Sequence, residues 1–181
     1  MRTYDEGRLA ELIVYFAKYS EKDLFFGSTK LNKLLFVADF LAYGYLGQSI
    51  TGATYIHQKQ GPTPEPSQFL AARETLISTG RLRIQEEDTY SGTRKRPVTD
   101  DYPNLHLFDK RELQICEAAI ESLKHMNNLE ISEWSHGFLG WLYTKEGEEI
   151  PYYMAYMWGR TEPTKDDFEW ANNMLQEFEV A

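Results

Sequence analysis

Few side chains in this sequence have the types and the spacing that catalysis or metal binding requires. The four histidines are His57, His106, His125 and His136, and none has a second histidine or a cysteine at the short spacings typical of a metal site. The sequence also lacks a glycine-rich phosphate-binding loop and a serine nucleophile elbow. We therefore expect a protein that is not an enzyme and that binds neither a metal ion nor a cofactor.

Cys116 is the only cysteine, so no disulfide can form within the chain. It falls on the apolar stripe of a predicted helix, together with Leu113, Ile120 and Leu123, which is typical of a buried thiol that acts as a small apolar side chain. A chain without disulfides fits a reducing compartment, and we predict a cytoplasmic location. No apolar run approaches the roughly 18 residues of a membrane span, so we expect no membrane association.

Composition and apolar spacing predict a mainly α-helical fold with a small antiparallel β-hairpin, an α+β fold. We expect one compact domain over residues 1–181, with flanking helices at both ends and winged-helix-like features. A central helix capped by Ser28 and ended by Gly44 or Gly47 is apolar nearly all round, including Tyr45, and is therefore predicted to form the core. The other predicted helices are at 6–19, 67–78, 109–123 and 129–143 and from 164. Ser67 is the predicted cap of the second of these, a capping box of Asp109 and Glu112 opens the third, and the fourth is interrupted near Gly137 or Gly140. The predicted strands are at 54–57, 81–85 and 96–99, the last two joined by a turn at Tyr90-Ser91-Gly92, and the segment at 147–157 is extended or irregular.

Two polar side chains interrupt the central helix. Asn32 and Asp39 lie seven residues apart and therefore share a helix face. They are candidates for a site, but this pattern favours polar groups that are satisfied by hydrogen bonds and tie a neighbouring loop to the core.

His136 lies between Trp134 and Trp141 in sequence. One interpretation is a pH-sensitive contact on a binding surface. The pattern favours a structural imidazole that bonds a backbone carbonyl and packs on aromatic rings, because no nucleophile or metal partner is near it.

The Gly61-Pro62 loop has two interpretations, which the residues leave open. It is a rigid turn that joins core elements, or a preformed docking edge beside the side chains of Tyr55 and Lys59. If the chain binds a protein, the candidate contact residues are Tyr55, Lys59, Gly61, Pro62, His136 and Trp141.

The basic cluster Arg94, Lys95 and Arg96 lies at the predicted hairpin. A helix followed by a basic hairpin is the outline of a winged helix, which would make the chain a DNA-binding transcriptional regulator. The alternative is a solvated turn whose charges offset the neighbouring acidic residues. The net charge of -9 favours this alternative and makes nucleic acid an unexpected partner.

Four segments together resemble the Panacea domain, also called SocA-like, of bacterial and phage antitoxins. They are KLNKLLFVADF, ITGATYIHQKQGPTPEP, ISEWSHGFLGWLY and EEIPYYMAYMWG, and they span about residues 29–159. Thr63 departs from the pattern, which has a small apolar residue after Gly-Pro. The resemblance marks His136 as a motif position without assigning chemistry to it.

The resemblance also implies a function. A SocA-like chain would be the antitoxin of a type II toxin–antitoxin pair, and its partner would be a protein toxin from an adjacent gene. It would neutralise that toxin by direct binding. In one branch of the family the antitoxin is instead an adaptor that delivers the toxin to a protease.

Overall fold

The computed structural model describes residues 2–89 and 92–158, and it has the predicted α+β architecture. The predicted turn at Tyr90-Ser91 and the predicted helix from Thr164 lie outside the described residues. Among the described residues there are two antiparallel hairpins, β1–β2 and β3–β4. The elements are α1 (Glu6–Tyr19), α2 (Ser28–Leu46), β1 (Tyr55–Ile56), β2 (Thr63–Pro64), α3 (Pro66–Ser78), β3 (Arg83–Thr89), β4 (Gly92–Val98), α4 (Lys110–Leu123), α5 (Asn128–His136), α6 (Leu139–Leu142) and 3-10 helices at Leu105–Leu107 and Tyr152–Met157.

Helix α2 is the core of the fold, as its all-round apolar pattern predicts. Leu35, Phe36 and Phe40 are fully buried, because α1, α4, α5 and the second 3-10 helix all pack against α2. The prediction that Tyr45 belongs to this buried surface is wrong, since its side chain is 79% exposed near the end of the helix. Gly47 ends α2 in the left-handed conformation, with φ of 74°.

The N-termini of α2 and α3 differ from their predicted caps. Ser28 is the first residue of α2 and not its cap, and its hydroxyl donates a hydrogen bond to the Lys95 carbonyl oxygen at 3.0 Å. Helix α3 begins at Pro66, and the Glu65 carboxylate accepts the Gln68 N–H at 3.0 Å in place of the predicted cap Ser67. A proline in the first turn has no N–H to satisfy, which favours this earlier start.

Helices α1 and α4 flank the core, and a buried ion pair joins them. Helix α1 has its predicted bounds, and Arg8 donates to the Glu112 carboxylate of α4 at 2.7 Å. Asp109 and Glu112 form the predicted capping box at the start of α4. Cys116 is fully buried, as predicted, and burial raises the pKa of its thiol.

The β3–β4 hairpin is longer than predicted, and its arginines hold it to the loop after α1. The Arg96 guanidinium donates to the carbonyl oxygens of Glu21 at 2.7 Å and Asp23 at 3.1 Å. Arg94 donates to the Leu24 carbonyl oxygen. Arg94 and Arg96 also form ion pairs with Glu87 at 3.8 Å, so the predicted offset of the neighbouring acidic charges is present. The two side chains are neither solvated, as that interpretation expected, nor a free basic wing. Lys95 is exposed and lies opposite Glu86 in the hairpin.

The short β1–β2 hairpin brings distant parts of the chain together. Tyr55 pairs with Pro64, and Ile56 pairs with Thr63 on one side and bridges to Glu149 on the other. Residues 147–150 thus run beside β1, although their pattern predicted no pairing. Strands of two residues are too short to show a period-two pattern in sequence.

The predicted break in the helix of residues 129–143 occurs at Gly137. Helix α5 ends at His136, and the four-residue α6 begins at Leu139. The segment at 147–157, predicted to be extended or irregular, is partly helical, because Tyr152–Met157 forms a 3-10 helix that packs against α2 and α6. Among the described helices, none has the length and apolar character needed to cross a membrane.

Candidate protein-binding surface

The β1–β2 loop packs against α5 and α6, which lie about 80 residues later in the chain. The indole N–H of Trp141 donates to the carbonyl oxygen of Gln58, 83 positions earlier in the chain, at 2.9 Å. Gly61 lies against the Ser135 hydroxyl. The fold therefore brings together the two regions that hold the predicted contact residues.

Three aromatic rings connect these regions, and we name His57, Trp141 and His136 the ring stack. Both imidazoles stack on the Trp141 indole, with centroid distances of 4.4 Å for His57 and 4.1 Å for His136. Nδ1 of His57 lies 3.2 Å from the Thr144 hydroxyl oxygen. The aromatic packing predicted for His136 is thus present. Within the described part of the chain its buried Nε2 has no hydrogen-bond partner, so the predicted carbonyl bond is not made by that atom.

Tyr55 is not a surface residue, and its prediction as an exposed contact is wrong. Its side chain is 1% exposed, and its hydroxyl donates to Oδ2 of Asp39 at 2.9 Å. The other donors to Asp39 are the backbone N–H groups of Ile50 at 2.7 Å and Thr51 at 2.8 Å and the Thr51 hydroxyl. Asp39 is therefore the satisfied polar group that ties the loop to the core. Burial raises its pKa although these hydrogen bonds oppose the rise.

Gly61 and Pro62 are buried as well, so neither residue is accessible to a partner protein. Nζ of Lys33 donates to the Pro62 carbonyl oxygen at 2.8 Å, and the Lys33 side chain is itself buried. Burial lowers the pKa of Lys33 to about 7. Sequence reasoning missed Lys33 because lysines are almost always exposed. The available signal was its position inside the apolar run that forms α2.

Asn32, the other polar residue of α2, does not join this network. Its Oδ1 atom is buried, and no residue of the described ranges donates a hydrogen bond to it. The prediction of satisfied polar groups thus holds for Asp39 and fails for Asn32.

Comparison of the chain with known protein families gives one match. The family model described as "Antitoxin SocA-like, Panacea domain" matches residues 31–142, which is more than half of the chain. The chain belongs to this family. The match includes all but the first three residues of α2, both hairpins and the whole ring stack. Searches of curated proteins and of solved structures found no match.

Helix α1 precedes the part of the chain that the Panacea model matches. It nevertheless packs against α2, α3 and α4. We therefore propose that α1 is part of the Panacea domain and that residues 1–181 form one domain.

The residues that are exposed around the ring stack of this Panacea domain are not the contact residues that the sequence analysis predicted, apart from Lys59. Leu142 and Tyr143 follow Trp141 and are 54% and 71% exposed, and no sequence pattern had selected them as contacts. They adjoin His57 through Thr144, and the Glu148 carbonyl oxygen accepts the His57 N–H at 2.8 Å. We name the area formed by the half-buried ring stack and its exposed neighbours the tip surface. Those neighbours are Lys59, Gln60, Leu142, Tyr143, Glu146, Glu148 and Glu149.

Gly61 is a position where the loop geometry can be tested. Its φ is +96°, and a Cβ atom there would lie 2.1 Å from the Ser135 hydroxyl oxygen and 2.9 Å from Nζ of Lys33. Gly147 has a similar φ of +85° with open space around it. We expect Gly61→Ala to lower the free energy of unfolding by about 1–3 kcal/mol more than Gly147→Ala, because only Gly61→Ala adds a steric clash. Urea unfolding of both variants measures this difference, and equal losses would contradict the packing at Gly61.

Proposed function

We propose that this chain is the antitoxin of a toxin–antitoxin pair and neutralises a co-encoded protein toxin by binding it directly. The observation that carries the proposal is the match to the SocA-like antitoxin family over residues 31–142. Toxin and antitoxin of such a pair would be made in the same cytoplasm. Neutralisation would follow from occlusion of a functional face of the toxin.

The tip surface is the contact area that we propose for the toxin. Its centre is aromatic and apolar, with Trp141, Leu142 and Tyr143, and aromatic anchors contribute most of the binding energy in many interfaces. Glu146, Glu148 and Glu149 are exposed at its edge and outnumber the exposed lysines there, Lys59 and Lys145, and the net charge of the chain is -9. A toxin with a basic contact face would therefore be complementary to it.

The two buried titratable groups of this region, on Asp39 and Lys33, support a binding role over a catalytic one, because both are occupied by hydrogen bonds within the core. Asp39 accepts hydrogen bonds from Ile50, Thr51 and Tyr55 in the core, and Lys33 holds the Pro62 carbonyl oxygen. Neither the carboxylate nor the ammonium group reaches solvent. A general acid or base must instead contact its substrate.

Growth of cells that express the product of the neighbouring gene tests the proposal. We expect expression of that product alone to stop growth, and co-expression of this chain to restore it. An unchanged toxin level during rescue indicates neutralisation by occlusion, whereas a lower level that depends on a host protease indicates delivery to that protease. Failure of the chain to restore growth and to co-purify with the toxin would contradict the proposed function.

A further inference from the structure

An open cavity lies between α1 and α4, and it shares no residue with the tip surface. It has a volume of about 280 Å³, and we name it the α1–α4 cavity. Its walls are formed by Tyr15, Tyr19, Leu105, Leu113, Glu117 and Ile120. Small-molecule sites begin at volumes of roughly 300 Å³ and are mainly apolar with a few polar groups. The cavity therefore has nearly the size, and the composition, of a site for a small ligand.

One carboxylate interrupts the apolar wall that α4 contributes to the cavity. Leu113, Glu117 and Ile120 are spaced at i, i+4 and i+7, so they lie along a single face of the helix. Glu117 is exposed, and it forms no ion pair or hydrogen bond with the residues that the structure describes. Glu121, one turn later, is instead paired with Lys124 at 2.5 Å. The Glu117 carboxylate is thus available to a cation in the cavity.

The Tyr15 hydroxyl is a second polar group that lacks a partner. Tyr15 is only 4% exposed, yet no residue within the described ranges forms a hydrogen bond with its hydroxyl. Burial raises the pKa of Tyr15, and the negative charge of Glu117 adds to this rise, so the carboxylate and the hydroxyl are near neighbours. Buried polar groups are normally hydrogen-bonded. A ligand that enters the cavity would supply the bond that the protein does not.

An ammonium group suits both of these polar groups at once. It carries three N–H donors and a positive charge, so it can donate to the Glu117 carboxylate and to the Tyr15 phenol oxygen together. The faces of the Tyr15 and Tyr19 rings also attract a cation. These two rings are tilted at 49° to each other and form no flat slot for a planar guanidinium. The three aliphatic side chains of the cavity leave the remaining space to a hydrocarbon.

We propose that the α1–α4 cavity binds a small aliphatic amine. Its ammonium group contacts Glu117 and Tyr15, and its hydrocarbon body lies on Leu105, Leu113 and Ile120. A single carboxylate lines the cavity, so the ligand carries one positive charge. The volume is that of a small-molecule site, so the ligand is a free amine and not the lysine side chain of a partner protein. This site is separate from the tip surface, and its failure would leave the proposed function intact.

Titration with n-hexylamine tests the cavity. The amine is added to the full chain at neutral pH, and the backbone amide signals are followed by NMR. We expect the signals of Tyr15, Tyr19 and Glu117 to shift with a Kd of about 0.1–1 mM, which is within the range that so small a ligand can reach. The signals of Leu142 and Tyr143 at the tip surface should not move. Absence of shifts around the cavity at about ten times that concentration would overturn the proposal.

Three related ligands identify the chemistry that the cavity recognises. Hexanol has the same shape without the charge, and we expect it to bind at least about tenfold more weakly, because charge-assisted hydrogen bonds are the strong ones. Hexanoate should not bind, since Glu117 repels it. N-acetyl-lysine methylamide should bind more weakly than hexylamine, because its shorter hydrocarbon chain ends in polar peptide groups. Equal binding of hexanol would overturn the ionic contact, and tighter binding of the lysine derivative would overturn the assignment to a free amine.

Two variants test the polar contacts without disturbing the core. Glu117→Gln keeps the shape of an exposed side chain and should weaken hexylamine binding at least about tenfold, whereas the matched control Glu121→Gln should leave it unchanged. Tyr15→Phe removes a hydroxyl that has no described partner, so the melting temperature should not fall while the affinity for hexylamine does. Unchanged affinity in Glu117→Gln, or equal losses in Glu117→Gln and Glu121→Gln, would overturn the proposal.

Discussion

Asp39→Ala is expected to lower the free energy of unfolding by about 4 kcal/mol or more, or to prevent folding. The variant leaves the buried N–H groups of Ile50 and Thr51 without an acceptor, and these backbone groups cannot turn away. The hydroxyls of Thr51 and Tyr55 lose the same partner. Unsatisfied buried donors are among the few causes of such large losses.

Conservative variants separate the hydrogen bonds of Asp39 from its charge. Asp39→Asn keeps one oxygen for the two backbone N–H groups and removes the cost of a buried charge, so we expect it to be much milder. Tyr55→Phe removes only one hydrogen bond and should cost about 1 kcal/mol. Urea unfolding of the three variants gives the ranking. A loss below about 1 kcal/mol for Asp39→Ala would show that these donors find other partners.

Lys33 is expected to make the stability of the protein depend on pH above neutrality. An unfolded lysine binds its proton below about pH 10.5, whereas burial lowers the pKa of Lys33 in the folded chain to about 7. Between these values unfolding takes up a proton, so stability rises with pH. From pH 7 to pH 8.5 the free energy of unfolding should increase by about 1.5 kcal/mol from this group alone.

Lys33→Met isolates this contribution, since methionine is apolar and of similar length. We expect the rise in stability between pH 7 and pH 8.5 to disappear in Lys33→Met and to persist in Lys59→Met, which replaces an exposed lysine. Urea unfolding at several pH values measures both slopes. A slope in Lys33→Met equal to that of the unchanged chain would mean that Lys33 has an ordinary pKa in the folded protein.

Local patterns predicted the elements whose signals are contained in a few neighbouring residues. The apolar spacing of α1, the capping box of Asp109 and Glu112, and the break at Gly137 all depend on residues within one or two turns. The inward position of Cys116 followed from the same spacing. The Panacea motifs also identified the family, because their order along the chain carries information that no single segment has.

The sequence did not predict contacts between residues that lie far apart in the chain. Tyr55 has an amphipathic side chain, and only the carboxylate of Asp39 sixteen residues earlier shows that its hydroxyl is buried. Within the sequence Arg96 resembles an exposed basic residue, because its neighbours are polar and charged. Its carbonyl partners lie 70–75 residues earlier in the chain, so no local pattern identifies them. The ring stack likewise depends on how β1 meets α6.

The affinity of the purified chain for the purified product of the neighbouring gene tests the central claim most directly. We predict tight binding by the unchanged chain and at least about a hundredfold loss in the double variant Leu142→Ala/Tyr143→Ala, with an unchanged melting temperature. The matched control is Leu24→Ala/Tyr45→Ala, which removes a leucine and a tyrosine that are 80% and 79% exposed elsewhere, and it should bind fully. Absence of binding by the unchanged chain, or equal losses in the two double variants, would contradict neutralisation through the tip surface.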